Sequence, residues 1–73
     1  MAGHEQARRA TDALAVALED VGFDVGRAFP FLRSQDVAPA VEIGPMTPSV
    51  AAQLAQVLSQ AAERGVTVDG LPE

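Results

Sequence analysis

One stretch of this chain decides its fold: Gly44-Pro-Met-Thr-Pro-Ser-Val-Ala-Ala-Gln-Leu-Ala-Gln-Val-Leu-Ser-Gln-Ala-Ala-Glu-Arg-Gly65. Thr47 can cap a helix, and Pro48 suits the first helical position, whose N–H has no partner in any helix. Gly65 supplies the residue that ends the helix. Apolar residues recur at helical spacing and predict one buried stripe, made of Val50, Leu54, Val57, Leu58 and Ala61.

The surface of this helix is unusual because it carries almost no charge. Between Val37 and Ala62 the only charged side chain is Glu42. Interface cores are depleted in charge, so an uncharged helix face is a candidate protein contact. We call its residues the neutral face: Ala52, Gln53, Gln56, Ser59 and Gln60. A plain surface in an alanine-rich protein explains the same composition, so both interpretations stay open at this point.

Upstream of this helix the hydrophobic period changes. From Glu5 to about Val21 apolar residues recur every three or four positions and predict a first helix that ends before Gly22. In the segment 23–31 apolar residues then occupy alternate positions, as they do in a strand. Pro30 places that strand at a sheet edge or a bulge. A second strand around 41–43 would close an antiparallel hairpin, and 66–68 predicts a third strand.

These elements predict an α+β fold in which two helices pack on one face of a small three-stranded mixed sheet, in the order α-β-β-α-β. A crossover between the second and third strands would make them parallel. Residues 1–4 are predicted to be a disordered N-terminal tail, and residues 5–71 a single small domain. The opposite sheet face is an alternative contact surface because its residues are small or acidic: Asp24, Gly26, Ala28, Ala40, Glu42 and Gly44.

A second candidate contact lies in the run Arg27-Ala-Phe-Pro-Phe-Leu-Arg33. Aromatic residues between arginines can stack nucleic-acid bases, whereas the simpler interpretation places Phe29 and Phe31 in the core. Arg27, Phe29 and Phe31 therefore join the neutral face as candidate contact residues. The formal net charge of -5 disfavours general nucleic-acid binding, which would have to use Arg8, Arg9, Arg27 and Arg33.

Length and composition restrict the remaining functions. The chain has 73 residues and no cysteine, so a stable core has to come from packing, a metal or a further protein surface. The apolar run 13–18 is short for a signal peptide and far too short for a membrane span. We expect a cytoplasmic protein, and the use of arginine without lysine, together with abundant alanine, is typical of a GC-rich bacterial genome.

Residues suited to catalysis are scarce. The only imidazole is His4, and neither a thiol nor a lysine amine is present. The acidic residues near the end of the first helix lack the spacing of a calcium loop, so a solvated acidic patch is the favoured interpretation. We therefore expect no enzyme activity, no cofactor and no metal site.

The sequence predicts a non-enzymatic protein-interaction or regulatory module that acts as a homodimer, binds another protein, or does both. The first alternative is a small-molecule carrier or accessory protein with a pocket between helix and sheet, near Phe29, Phe31 and Met46. Nucleic-acid binding is the least favoured function, and membrane association is not expected.

Overall fold

Three α-helices and one two-stranded antiparallel sheet make up the fold in a computed structural model, which describes residues 2–35 and 37–72. The elements follow one another as α1 (Ala2–Asp20), α2 (Val25–Ala28), β1 (Arg33–Ser34), β2 (Val41–Glu42) and α3 (Pro48–Glu63), followed by a 3-10 helix (Val68–Gly70).

Helix α1 is the element around which α2 and the hairpin are assembled. It packs against α2, β1 and β2, and it contributes two of the buried apolar residues, Ala7 and Leu18. The helix begins at Ala2, so residues 2–4 of the predicted tail 1–4 belong to its first turn, whereas Met1 lies outside the described residues. Gly22, at a φ of 105°, ends it in a Schellman motif, in which the Phe23 N–H donates to the Leu18 carbonyl at 3.0 Å.

The prediction of a strand at 23–31 was wrong. Residues 25–28 form the short helix α2, and the Phe29 N–H donates to the Val25 carbonyl at 2.9 Å. This helical turn brings the Phe23 and Phe29 rings edge to face, with 5.3 Å between their centroids. A strand would hold two residues six positions apart at roughly 20 Å. The turn is favoured because it lets Phe29 become 2% exposed and pack beside Phe23.

The three-stranded mixed sheet is also wrong. One hairpin forms within the described residues, with Arg33 opposite Glu42 and Ser34 opposite Val41. Its second strand lies where a strand was predicted, but its first strand follows the predicted 23–31 strand and falls in the segment that the sequence assigned to the connecting loop. The predicted third strand at 66–68 does not form. The Val66 N–H instead donates to the Ala61 carbonyl at 2.9 Å, and the chain then enters the 3-10 helix. A strand of only two residues offers little backbone for a third strand to pair with.

The bounds of α3 confirm the local helix signals. The Thr47 side chain accepts a hydrogen bond from the Val50 N–H at 3.2 Å, and Pro48 is the first helical residue. Gly65, with a φ of 82°, ends the helix in a second Schellman motif. The predicted stripe is only half-buried, however, and Leu58, which we expected inside, is 61% exposed.

The core is small for a chain of this length. Within the described residues, the buried apolar side chains are Ala7, Leu18 and Phe29, and none belongs to α3. The chain exposes 5705 Å², whereas a compact monomer of this mass exposes about 4,300 Å². The Cα radius of gyration of 13.4 Å also exceeds the roughly 11 Å expected for this length. The exposed surface in excess of a compact monomer is therefore spread over a flat molecule of 38 × 30 × 17 Å.

Candidate functional site

The first candidate site is a groove between the end of α1 and one side of α3. Val21, Gly22 and Phe23 form one wall, and the other wall consists of Gln53, Gln56, Val57 and Gln60. The hollow has a volume of about 250 Å³ and is open to solvent. Its α1 wall is fixed by the Schellman motif, which turns the backbone at Gly22 and directs Phe23 back toward Leu18.

A second hollow, of about 440 Å³, continues this groove toward the end of α3. It shares Val21, Val57 and Gln60 with the first hollow and adds Ala61, Arg64 and Val66. The second Schellman motif places Val66 beside Ala61. Val21 and Val66 remain more than half exposed, so this groove combines apolar walls with glutamine amides and has no cover within the described residues.

The neutral face therefore separates into two parts. Gln53, Gln56 and Gln60 line the groove, whereas Ala52 and Ser59 are exposed and are not among its lining residues. Amides that flank an apolar strip can give a protein contact its hydrogen bonds without adding charge. The sequence grouped these five residues by their lack of charge, and it could not show which of them face α1.

A second surface on α3 was missed by the sequence analysis. Ala51, Ala55, Leu58 and Ala62 are all exposed, and we call these four residues the outer seam. With 3.6 residues per turn, the outer seam lies about a quarter turn around α3 from the half-buried stripe of Val50, Leu54, Val57 and Ala61. Its spacing of four, three and four residues is that of a coiled-coil seam. Assigning Leu58 to the buried stripe concealed this pattern.

The Arg27–Arg33 segment supplies fewer contacts than we expected. Phe29 is buried and is therefore a core residue rather than part of a surface. Arg27 is exposed and lies 3.9 Å from an Asp24 carboxylate oxygen. Phe31 remains 59% exposed, which leaves it as the accessible apolar residue of the three. The alternative contact surface on the sheet is also reduced, because each strand is only two residues long.

Phe31 belongs to a separate open hollow of about 640 Å³ beside the hairpin. Pro30, Leu32 and Pro45 supply its apolar walls, and Arg33 and Glu42 supply charged groups. Gly44, at a φ of 74°, lets the chain pass close to Phe31, because an added Cβ would lie 2.6 Å from the Phe31 Cβ. Phe29 and Met46, which we predicted beside a pocket between helix and sheet, do not line it.

Glu42 accepts two side-chain hydrogen bonds beside the hairpin. Gln35 donates a hydrogen bond to Glu42 at 2.8 Å, and the Arg33 guanidinium donates a second at 3.2 Å. These two bonds, together with the positive charge of Arg33, hold the pKa of Glu42 below its ordinary value of 4.5. The arrangement ties the two strands together across their exposed side.

The arginines do not gather into a nucleic-acid surface. Arg9 pairs with Glu5 at 2.7 Å, and Arg33 pairs with Glu42 at 3.2 Å. Arg27 has a looser carboxylate neighbour in Asp24. Arg8 lines a small polar hollow with His4, Ser34 and Gln35. Since three of the four candidate arginines lie beside carboxylates, the field that would attract phosphates is weakened locally as well as by the net charge.

Residues 2–35 and 37–72 contain neither a cluster of metal ligands nor a membrane-crossing helix. No group of three or more histidine or acidic side chains within them could hold a metal ion. No helix within the same ranges is long and apolar enough to cross a membrane.

Comparison with known proteins adds no assignment. The chain matches no protein-family model, no curated protein and no solved structure with which it was compared. The groove and the outer seam, the two surfaces of α3, are therefore the features that bear on function.

Proposed function

We propose that this protein is a non-enzymatic protein-interaction or regulatory module that acts as a homodimer, with α3 as its contact element. The observation that carries this proposal is the unburied surface. The chain exposes roughly 1,400 Å² more than a compact monomer of its mass would. Helix α3 accounts for part of that surplus, because none of its residues, all of them described, is buried.

The size of this surplus supports association. A standard protein interface buries about 800 Å² on each partner, and obligate dimers bury more. The surplus on this chain is large enough for either class. A domain of this length gains little stability from its own core, and contact with another protein surface is one of the few remaining ways to bury more apolar area.

The distribution of charge supports a contact on α3 rather than on α1. Helix α1 carries acidic and basic side chains along its length, whereas α3 carries Glu63 as its only charged residue. Charged residues resist desolvation, so a helix without them is the better contact surface. The absence of cysteine suits a reducing compartment, and we place this function in the bacterial cytoplasm.

Light scattering behind a sizing column tests the proposal. We expect twice the 7.6 kDa chain mass at two protein concentrations and at both low and high salt, because an apolar contact contains no ion pairs that salt would weaken. Monomer mass in all four conditions would contradict the homodimer.

Small-molecule binding is the second candidate, and the hollow beside Phe31 is the observation that favours it. Its 640 Å³ lies within the range of roughly 300–1,000 Å³ typical of ligand pockets, and it combines apolar walls with Arg33 and Glu42. A thermal-shift screen of metabolites tests this function, with the Phe31→Ala variant as the control. A ligand of this hollow should stabilise the natural chain and lose most of that effect in the variant. A screen without any stabilising compound would count against the carrier function.

A further inference from the structure

We propose that two copies of this chain pair through the outer seam, with their α3 helices antiparallel. Ala55 of each copy then faces Leu58 of the other, and Ala51 faces Ala62. This inference rests on the proposed homodimer and names the surface and the register through which it forms.

The spacing of the outer seam is symmetric. Its separations of four, three and four residues read the same in both directions along α3. A two-fold axis that crosses the helix midway between Ala55 and Leu58 therefore maps the seam onto itself. In a closed dimer the same surface of each copy must complement itself, and this spacing meets that condition. It also reproduces the layers of an antiparallel coiled coil.

The sizes of the side chains fit the same register. Each Leu58 is placed against an alanine of the second copy rather than against the other Leu58. A large residue opposite a small one fills space without a clash. Alanine side chains also allow two helices to approach at the short end of the usual 8–10 Å range.

Leu58 shows that this face lacks a cover in the single chain. The side chain is 61% exposed in the middle of a well-formed helix, beside half-buried Leu54 and Ala61. The described parts of the chain place no other element over it. Paired α3 helices would cover Leu58 and the edges of its two neighbours. The roughly 1,400 Å² of surplus surface per chain exceeds the roughly 800 Å² that each partner buries in a standard interface.

Charge favours the outer seam as the face on which two copies meet. Each chain carries a net charge of -5, so two copies repel each other at most orientations. From Pro48 to Ala62 α3 has no charged side chain, and contact along the outer seam brings no carboxylates together. Antiparallel pairing also sets the positive end of each helix dipole beside the negative end of the other.

Cysteine cross-linking tests the register, since the natural chain has no cysteine. A mixture of Ala51→Cys chains and Ala62→Cys chains should form a disulfide-linked dimer on mild oxidation. Each variant alone should stay largely uncross-linked, because its two sulfurs would be roughly 16 Å apart along the paired helices. A disulfide needs Cα atoms within about 7 Å. Cross-linking of Ala51→Cys with itself would overturn the antiparallel register.

Two charge variants locate the contact independently. Ala55→Glu puts a carboxylate in the outer seam, and Gln56→Glu puts the same charge on the adjacent residue, which lines the groove. We expect Ala55→Glu to raise the dimer dissociation constant by roughly 100-fold or more, because the new charge has no partner when buried. Gln56→Glu should change it by less than about threefold. Circular dichroism should show unchanged helix content in both variants.

The outcomes separate this inference from the proposed function. A dimer that survives Ala55→Glu but dissociates in Gln56→Glu would overturn the outer seam in favour of the groove, and the homodimer itself would stand. A natural chain that is monomeric throughout would overturn both proposals and leave the outer seam to a different protein.

Discussion

Helices α1 and α3 end in the same way and yet have different roles. Each ends at a glycine in a Schellman motif, with Phe23 bonded back to Leu18 in α1 and Val66 bonded back to Ala61 in α3. Helix α1 is charged and packs against α2 and both strands, whereas α3 is almost uncharged and is not among the closely packed elements described.

This difference runs opposite to the usual pattern of a small domain. The helix with the least internal packing would normally carry the most polar surface. Here α3 exposes Leu58 and several alanines, and α1, which contributes Ala7 and Leu18 to the core, carries the charge. We conclude that α1 organises the single chain and that the exposed apolar surface of α3 is available for association.

The largest expected effect concerns the core beside α1. Phe29→Ala removes the 2% exposed ring and should lower the free energy of unfolding by about 3–5 kcal/mol. The matched control is Phe31→Ala, which deletes the same ring from a 59% exposed position and should cost less than about 1 kcal/mol. Urea denaturation followed by circular dichroism measures both. Equal losses of unfolding free energy in the two variants would mean that the core extends to Phe31.

The two helix-ending glycines provide a smaller and more direct comparison. Gly22→Ala and Gly65→Ala both force a positive φ on a residue with a side chain, at a local cost of about 1–2 kcal/mol, and neither new Cβ meets an atom within 4 Å. We expect Gly22→Ala to lower the global free energy of unfolding by most of that amount. Gly65→Ala should mainly increase amide exchange in the last turn of α3. If Gly65→Ala lowered the global free energy of unfolding as much as Gly22→Ala, α3 would be packed as firmly into the fold as α1.

The smallest effect concerns the hairpin. Because hydrogen bonds from Gln35 and Arg33 lower the pKa of Glu42 in the folded chain, this carboxylate stabilises the hairpin above its unfolded pKa. That contribution declines as the pH falls from about 4.5 through the folded pKa. An NMR titration should place the Glu42 pKa below 4.5, and Gln35→Ala should raise it. An unchanged pKa in Gln35→Ala would remove Gln35 as the main cause.

Sequence reasoning succeeded where the determining interactions are local. Thr47, Pro48 and Gly65 set the bounds of α3 through hydrogen bonds within one helical turn, and Gly22 did the same for α1. These features depend on residues close together in the chain, so one sequence is enough to identify them.

It failed where the outcome depends on distant partners. The alternation of Phe23, Val25 and Phe29 fits a strand, but it also fits a helical turn that brings the two rings together. Val66 and Val68 have strand-forming side chains, yet the short hairpin gives them little to pair with. On α3, composition identified an uncharged helix but could not separate the groove from the outer seam.

Amide hydrogen exchange at increasing protein concentration tests the central claim most directly. If two copies meet through α3, protection of its amides should rise as the concentration passes the dimer dissociation constant, and protection of α1 should stay nearly constant. Protection of α3 that is independent of concentration, or a rise confined to α1, would contradict the assignment of α3 as the contact element.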